Sequence, residues 1–164
     1  MGSVATVPLL DQDGRRIAFS SWSGKVLVLD FIYTGCGDIC PLRTAQLADV
    51  QRRLGPDLQG KVQFVSVSID PEHDDASALR SYGQRYGADF GNWSFLTGKL
   101  GAIARVAAAF EVPTEAGTDP PSHVSTLWIV SGRGDASQLY VGDHVDEDRL
   151  LSDLTRATQD RERL

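Results

Sequence analysis

Near-continuous apolar runs recur along the chain and predict the strands of a sheet. Val26–Ile32 and residues 62–69 are rich in β-branched and apolar side chains, with few polar interruptions. Runs of this kind are typical of strands that are buried on both faces. Shorter apolar runs at residues 93–96, 125–130 and 138–141 predict three further strands.

Apolar residues at helical spacing lie between and after these runs and predict the helices. Repeats at i, i+3 or i+4 and i+7 place one side of a helix against a core. The four stripes consist of Leu47, Val50 and Leu54; of Leu79, Tyr82 and Tyr86; of Leu100, Ile103, Ala104, Ala107 and Phe110; and of Leu150, Leu151 and Leu154. Asp146 is expected to cap the last of these helices.

The order of these elements predicts the fold. Residues 9–19 indicate a small hairpin around Asp13-Gly14, because an Asp-Gly turn between extended segments favours one. The chain continues as β-α-β-α, a short strand, a helix and a final β-β-α, which indicates parallel central strands and an antiparallel edge. We therefore expect one α/β domain over residues 1–164. Its pattern suits a thioredoxin-like fold, with a central mixed sheet flanked by helices and an N-terminal β-hairpin.

The composition indicates an acidic, soluble globular protein. The 164 residues are 41% hydrophobic and 23% charged, which excludes a disordered or low-complexity chain. The 16 basic and 22 acidic residues give a net charge of -6. A nucleic-acid partner is not expected, because such partners are bound by clustered Lys and Arg and the chain has no basic run. The longest apolar run is far shorter than the roughly 20 residues that a membrane-spanning helix needs.

Cys36 and Cys40 are the two cysteines of the chain and form a C-x-x-x-C motif after the first long strand. Pro41 suits the first position of a helix, where its missing N–H would have no partner, so Cys40 is expected at or beside the N-cap. Unpaired N–H groups and the helix dipole favour a thiolate there, whereas the carboxylate of Asp38 opposes it. Two inert buried thiols are the alternative, but the motif on a strand-to-helix turn favours chemistry.

The spacing of the cysteines leaves two chemical roles open. Two sulfurs this close in the chain can form a disulfide or bind one metal ion. Thiolates are good ligands for Cu(I), and a stable trigonal site needs a third donor. Structural zinc is less favoured, because it usually takes four protein ligands.

Three histidines are candidates for the third donor. His73 and His144 lie in polar segments and are expected to be exposed loop residues. His123 precedes the strand predicted at residues 125–130, and in a thioredoxin-like sheet the loop that enters this strand faces the cysteine turn. His123 is therefore the candidate ligand, with a solvated loop histidine as the alternative.

Two segments and one histidine resemble the Sco (SenC) family of copper chaperones for cytochrome c oxidase. Residues 31–41, FIYTGCGDICP, are similar to the family's F-x-Y-T-x-C-P-D-x-C-P turn, with Gly37 where the family usually has proline. Residues 65–74, VSVSIDPEHD, are similar to its S-V-D-P-E-x-D segment. His123 is similar to the family's metal-binding histidine, although it lacks the common Asp-His-Ser context.

The resemblance implies a copper-binding domain with a thioredoxin-like fold. It implies that Cys36, Cys40 and His123 bind Cu(I) and Cu(II). Asp38 matches the acidic residue of the family turn and is implied to support these ligands, and Asp70 matches the acidic end of the second segment. A membrane anchor, absent from this sequence, would hold the domain facing the periplasm or the intermembrane space.

The resemblance also implies the partners. The family delivers copper to the binuclear copper site of a cytochrome c oxidase subunit, or reduces the cysteines of that site. The expected partners of this chain are that subunit and another copper donor or a thiol reductant, and we expect the chain to be a monomer.

The sequence leaves three candidate functions to be distinguished. A copper chaperone passes on its metal without catalytic turnover, whereas a thiol–disulfide oxidoreductase cycles the same cysteines against another protein's cysteine pair. A peroxiredoxin-type peroxidase is least favoured, because it needs Thr or Ser three residues before the reactive cysteine and Tyr33 stands there. The copper chaperone is the favoured function and the oxidoreductase is the alternative, so whether the chain is an enzyme stays open.

Overall fold

The computed structural model of the chain describes residues 1–37, 39–113 and 126–162. In chain order its elements are β1 (Leu9–Leu10), β2 (Arg16–Ile17), β3 (Val26–Ile32), α1 (Ile39–Arg53), α2 (Pro56–Gln59), β4 (Val62–Ser68), α3 (Ala76–Arg85), β5 (Trp93–Leu96), α4 (Leu100–Ala109), β6 (Thr126–Val130), β7 (Ala136–Val141) and α5 (Glu147–Glu162). Short 3₁₀ helices lie at Gly2–Val4 and Phe19–Trp22. Of the helices that the structure describes, none has both the length and the apolar character needed to pass through a bilayer.

Five strands form the central sheet in the order β5-β4-β3-β6-β7. β3 pairs in parallel with β4, and β4 with β5, whereas β6 runs antiparallel to both β3 and β7. β1 and β2 form a separate antiparallel hairpin, and a bridge between Leu10 and Thr97 joins it to the segment after β5. The mixed sheet, its flanking helices and the hairpin confirm the predicted thioredoxin-like fold.

β3 and β4 lie at the centre of the sheet because both of their faces are apolar. All seven residues of each strand are buried, as near-continuous apolar runs predict for central parallel strands. Polar side chains within such strands need hydrogen-bond partners inside the protein, because no water reaches them. These residues are Asp30, Gln63, Ser66 and Ser68.

The apolar stripe of α4 differs from the predicted one. Ile103 and Ala107 are buried as predicted, but Leu100 is 58% exposed and Ala104 is exposed. The buried face follows the i, i+3, i+4 and i+7 positions from Ile103, so it includes Val106 and excludes Ala104. The contact with the core therefore starts one turn later than the pattern predicted.

The start of α1 also differs from the prediction, while the cap of α5 is confirmed. α1 begins at Ile39, which makes Pro41 the third helical residue rather than the first. A helix tolerates proline there because the N–H groups of its first turn have no intrahelical acceptor. Cys40 accordingly lies in the first turn and not at the N-cap itself. Asp146 accepts the backbone N–H of Arg149 at 3.0 Å and caps α5 as predicted.

Candidate metal centre

The cysteine turn connects the carboxyl end of β3 to α1. The backbone N–H of Cys36 donates to the carbonyl of Tyr33 at 3.1 Å, which closes a tight turn directly after the strand. Cys40 follows in the first turn of α1. The two cysteines are 3% and 6% exposed, and no disulfide joins them. Both sulfur-bearing residues are therefore buried at one end of the sheet.

The first turn of α1 provides a hydrogen bond to one of the sulfurs. The backbone N–H of Cys40 donates to Sγ of Cys36 at 3.4 Å, so the structure brings the two predicted residues together. N–H groups of a first helical turn have no acceptor inside the helix and carry the positive end of its dipole. Both features favour negative charge on the sulfur of Cys36.

Burial acts in the opposite direction at Cys40. It raises the pKa of the Cys40 thiol, and the neighbouring Cys36 and the buried carboxyl of Asp30 raise this pKa further. Cys40 is therefore protonated at neutral pH in the metal-free protein, and a metal ion that binds it displaces this proton. Asp38, whose carboxylate the sequence predicts to oppose the thiolate, lies outside the described residues.

A buried carboxyl group occupies the middle of β3. Asp30 is 1% exposed, and burial raises its pKa to about 6. One of its oxygens accepts the hydroxyl of Ser66 at 2.6 Å, and Ser66 accepts the indole N–H of Trp93 at 3.0 Å. Because this pKa lies close to neutrality, modest changes of pH alter the charge of a group that acts on Cys40.

Arg43 lies one turn after Cys40 on α1 and carries a buried positive charge. It is 4% exposed, and its charge lowers the pKa of Asp30, which limits the effect of burial on that carboxyl. Its Nη2 donates to the carbonyl of Gly142 in the loop after β7. Among the described residues, its Nε and Nη1 and the Oδ2 of Asp30 have no hydrogen-bond partner. Arg43 thus interacts electrostatically with Asp30 and forms a hydrogen bond with the loop between β7 and α5.

Thr34 fixes the other side of the cysteine turn. Its backbone N–H donates to Oδ2 of Asp74 at 3.0 Å, and its hydroxyl donates to Oδ1 of the same carboxylate. Asp74 is fully buried in the loop after β4 and also accepts the hydroxyl of Ser68 at 2.7 Å. Next to Thr34, burial and the adjacent Cys36 thiol raise the pKa of Tyr33 to about 12.

Two of the three histidines lie where the sequence predicted. His73 and His144 are exposed loop residues. Nδ1 of His73 is 2.9 Å from Oδ1 of Asp70, and the side-chain amide of Gln46 donates to Nδ1 of His144 at 2.6 Å. Neither contact is with a cysteine.

The third predicted ligand, His123, lies outside the described residues. The neighbouring strand is informative: β6 is antiparallel to β3, with Leu127 opposite Asp30. β6 therefore begins at the end of the sheet where β3 runs into the cysteine turn. Within the three described ranges, no three His, Cys, Asp or Glu side chains form a group able to hold a metal ion. The described part of the chain thus contributes two soft donors, Cys36 and Cys40.

The residues that support the turn were missed at the level of sequence. The sequence does contain a signal for Asp30, because it is a charged residue within an otherwise apolar strand. Thr34 and Asp74 stand in the two segments that resemble the Sco family, but their spacing does not reveal that they meet. The sequence contains no signal for Arg43, because its position beside the site depends on how α1 packs on the sheet.

A thioredoxin-like domain with a buried cysteine pair on the turn after a central strand is the class of protein that these features define. The family model described as SCO1/SenC matches residues 5–159. The chain therefore belongs to the SCO1/SenC family, which confirms the resemblance carried by residues 31–41 and 65–74.

Two curated relatives differ in how much of their length the chain covers. The SCO1 protein homolog of Bacillus subtilis is 32% identical over 153 residues, which is 90% of this chain and 79% of that protein. The human mitochondrial protein SCO2 homolog is 32% identical over 138 residues, which is 83% of this chain and 45% of that protein. The chain thus spans about half the length of the human relative.

Solved structures of family members share this fold over most of both chains. A SCO1/SenC family lipoprotein from Bacillus anthracis is 28% identical with a TM-score of 0.82, over 92% of this chain and 91% of that one. BsSco, a member of the Sco family of cytochrome c oxidase assembly proteins with a disulfide switch, is 30% identical with a TM-score of 0.79, over 93% and 91%. ScoI of Bradyrhizobium japonicum, solved with copper bound, is 25% identical with a TM-score of 0.76, over 92% and 96%.

Proposed function

We propose that this chain is a copper-binding metallochaperone in which Cys36, Cys40 and His123 hold Cu(I) or Cu(II). The observation that carries the proposal is the pair of buried sulfurs on one turn, at the end of the sheet where β6 begins. His123 comes three residues before Thr126, the first residue of β6, and three residues extend over about 11 Å at most. This length bounds the distance between His123 and the start of β6.

The donor set favours copper. Two thiolates and one imidazole suit Cu(I), and a three-coordinate ion leaves room for an incoming ligand during transfer. Structural zinc usually takes four protein ligands. The copper-bound structure of a relative that shares this fold supports the same metal.

The acceptor that we infer is the copper-site subunit of cytochrome c oxidase. The chain delivers copper to this subunit or reduces the cysteines of its binuclear site, and it does so without catalytic turnover. Another copper donor or a thiol reductant acts before it. The oxidase-assembly role of BsSco supports this partner, and the lipoprotein relative supports an anchored domain that faces the periplasm.

Anaerobic copper titration of the reduced protein tests the proposal. We expect one copper ion per chain and, for Cu(II), a thiolate-to-metal absorption band. Cys36→Ser and Cys40→Ser are expected to abolish this band, and His123→Ala is expected to weaken binding. His144→Ala is the matched control, because it removes an exposed histidine from another loop. Absence of copper binding in the wild type contradicts the proposal, and unchanged binding in His123→Ala contradicts the third ligand.

A thiol–disulfide oxidoreductase is the second candidate. The observation in its favour is the hydrogen bond from the N–H of Cys40 to the sulfur of Cys36, which brings both cysteines together on one turn, where a disulfide could form in exchange with a partner's cysteine pair. The raised pKa of Cys40 disfavours rapid attack by that sulfur. Fast reduction of a protein disulfide, together with no affinity for copper, would favour this candidate over the chaperone.

A further inference from the structure

A buried carboxylate fastens the turn that carries Cys36. Asp74 accepts two hydrogen bonds from Thr34, one from the backbone N–H at 3.0 Å and one from the hydroxyl. Asp74 is fully buried, and a buried carboxylate is costly unless its oxygens are hydrogen-bonded. The two bonds therefore stabilise the carboxylate and the turn together.

Asp74 is itself fixed to the sheet. Its backbone N–H donates to the carbonyl of Asp70 at 2.9 Å, and Ser68 at the end of β4 donates its hydroxyl to the carboxylate at 2.7 Å. The next residue, Ile69, donates its N–H to the carbonyl of Ile32 at the end of β3, at 2.9 Å. Hydrogen bonds thus tie the loop after β4 to the ends of β3 and β4, and this loop in turn restrains the cysteine turn.

The restraint reaches the sulfur through Thr34. Thr34 follows Tyr33, whose carbonyl accepts the N–H of Cys36, and the sulfur of Cys36 in turn accepts the N–H of Cys40. We propose that Asp74 is a positioning residue that, acting through Thr34, holds the Cys36 turn in its dithiol geometry. Its consequence for copper rests on the proposed function, whereas its consequence for the dithiol does not.

Loss of this restraint affects the dithiol more than the disulfide. In the dithiol, hydrogen bonds and packing hold the turn, whereas a Cys36–Cys40 disulfide adds a covalent constraint. Removal of the bonds from Thr34 to Asp74 is therefore expected to move the equilibrium toward the disulfide. Copper affinity is expected to fall as well, because metal sites weaken when the groups that orient their ligands are removed.

Thr34→Val tests the positioning role. Valine has nearly the shape of threonine but lacks the hydroxyl that donates to Asp74. The protein is equilibrated with glutathione, so that each disulfide formed from two cysteine thiols converts one glutathione disulfide into two glutathione thiols. We expect the equilibrium constant for disulfide formation to rise about tenfold, which corresponds to a midpoint potential about 30 mV lower. Thr34→Ser keeps the hydroxyl and is expected to restore the wild-type value.

Ser68→Ala is the matched control. It removes a hydrogen bond from the same buried carboxylate but leaves both bonds from Thr34. Its free energy of unfolding is expected to fall, as in Thr34→Val, because each leaves a carboxylate oxygen with fewer donors. Its potential is expected to stay at the wild-type value. An unchanged potential in Thr34→Val, or an equal shift in Ser68→Ala, overturns the proposal.

Copper affinity is measured separately, by competition with a Cu(I) chelator. Thr34→Val is expected to bind copper about tenfold more weakly than the wild type, and equal affinity would contradict the copper part of the proposal. The potentials are measured without copper. Failure of the wild type to bind copper therefore overturns the proposed function, while the positioning role of Asp74 is still decided by the glutathione equilibria.

Discussion

At the scale of single residues, burial decides the protonation of the groups around the cysteine turn. It raises the pKa of the Cys40 thiol and brings that of Asp30 to about 6. A thiolate at Cys40 and a carboxylate at Asp30 destabilise each other, because both are negative charges in surroundings of low polarity. Arg43 is the buried charge that offsets part of this cost at Asp30.

Asp30→Asn is expected to flatten the pH dependence of stability. The folded-state pKa of Asp30, about 6, lies above its ordinary value of 3.8. The folded state binds the proton of Asp30 more tightly than the unfolded state does. The resulting stabilisation is therefore complete below about pH 4 and is lost as pH rises through 6. The loss is on the order of 3 kcal/mol. Asparagine keeps an acceptor for Ser66 but does not ionise, so this loss should vanish.

Urea unfolding of the reduced, metal-free proteins between about pH 4 and pH 7 measures this effect. Ser66→Ala is the control, because the Ser66 hydroxyl lowers the pKa of Asp30. Its removal is expected to shift the loss of stability to higher pH. Parallel curves for wild type and Asp30→Asn would contradict the prediction.

The sequence predicted the cysteines of the site but not their support. Cys36 and Cys40 are close in the chain, and their spacing on a strand-to-helix turn is visible without the fold. The electrostatic effect of Arg43 on Asp30 depends on how α1 packs on the sheet, which a local sequence pattern does not record. The contact of Thr34 with Asp74 likewise requires that β3 and β4 be neighbours.

At the scale of elements, burial on both faces made the central strands predictable. The apolar run Val26–Ile32 coincides with β3, because each of its residues must face the core. Helix ends were less predictable, as the start of α1 shows. The sequence does not predict α2, because a four-residue helix has no periodicity and Gly55-Pro56, where α2 starts, instead indicates the end of the preceding helix.

Gly132→Ala is expected to destabilise the contact between two turns. The N–H of Gly24, just before β3, donates to the carbonyl of Gly132 at 3.0 Å, in the turn between β6 and β7. A β-carbon at Gly132 would lie 2.9 Å from the carbonyl oxygen of Gly24 and 3.0 Å from its carbonyl carbon. Backbone atoms this close must move apart, which is expected to lower the free energy of unfolding by about 1–3 kcal/mol.

Gly101→Ala is the matched control for this prediction. Gly101 lies in the first turn of α4, and a β-carbon there meets no atom within 4 Å. Alanine is favoured over glycine in helices by up to about 1 kcal/mol, so this variant is expected to gain stability. Denaturant unfolding measures both variants, and a Gly132→Ala protein as stable as the wild type would refute the expected clash.

At the scale of the whole molecule, the proposed metal site joins distant parts of the chain. Cys36 and Cys40 are neighbours whether or not the chain is folded. His123 belongs to the segment before β6, and only the fold sets the beginning of β6 beside the end of β3. An unfolded chain thus offers Cu(I) two thiolates, whereas the proposed folded site adds an imidazole.

Cu(I) should therefore stabilise the folded protein to an extent that depends on His123. A ligand of the native state adds about 3 kcal/mol when its free concentration is roughly 100 times its Kd, and affinity for the unfolded chain reduces this gain. With buffered Cu(I), we expect the Tm of the wild type and of the control His73→Ala to rise. The rise should be smaller in His123→Ala, because its folded and unfolded states offer the same two thiolates, and absent when both cysteines are serine. An equal rise in wild type and His123→Ala would mean that the fold favours copper through the geometry of the two sulfurs alone.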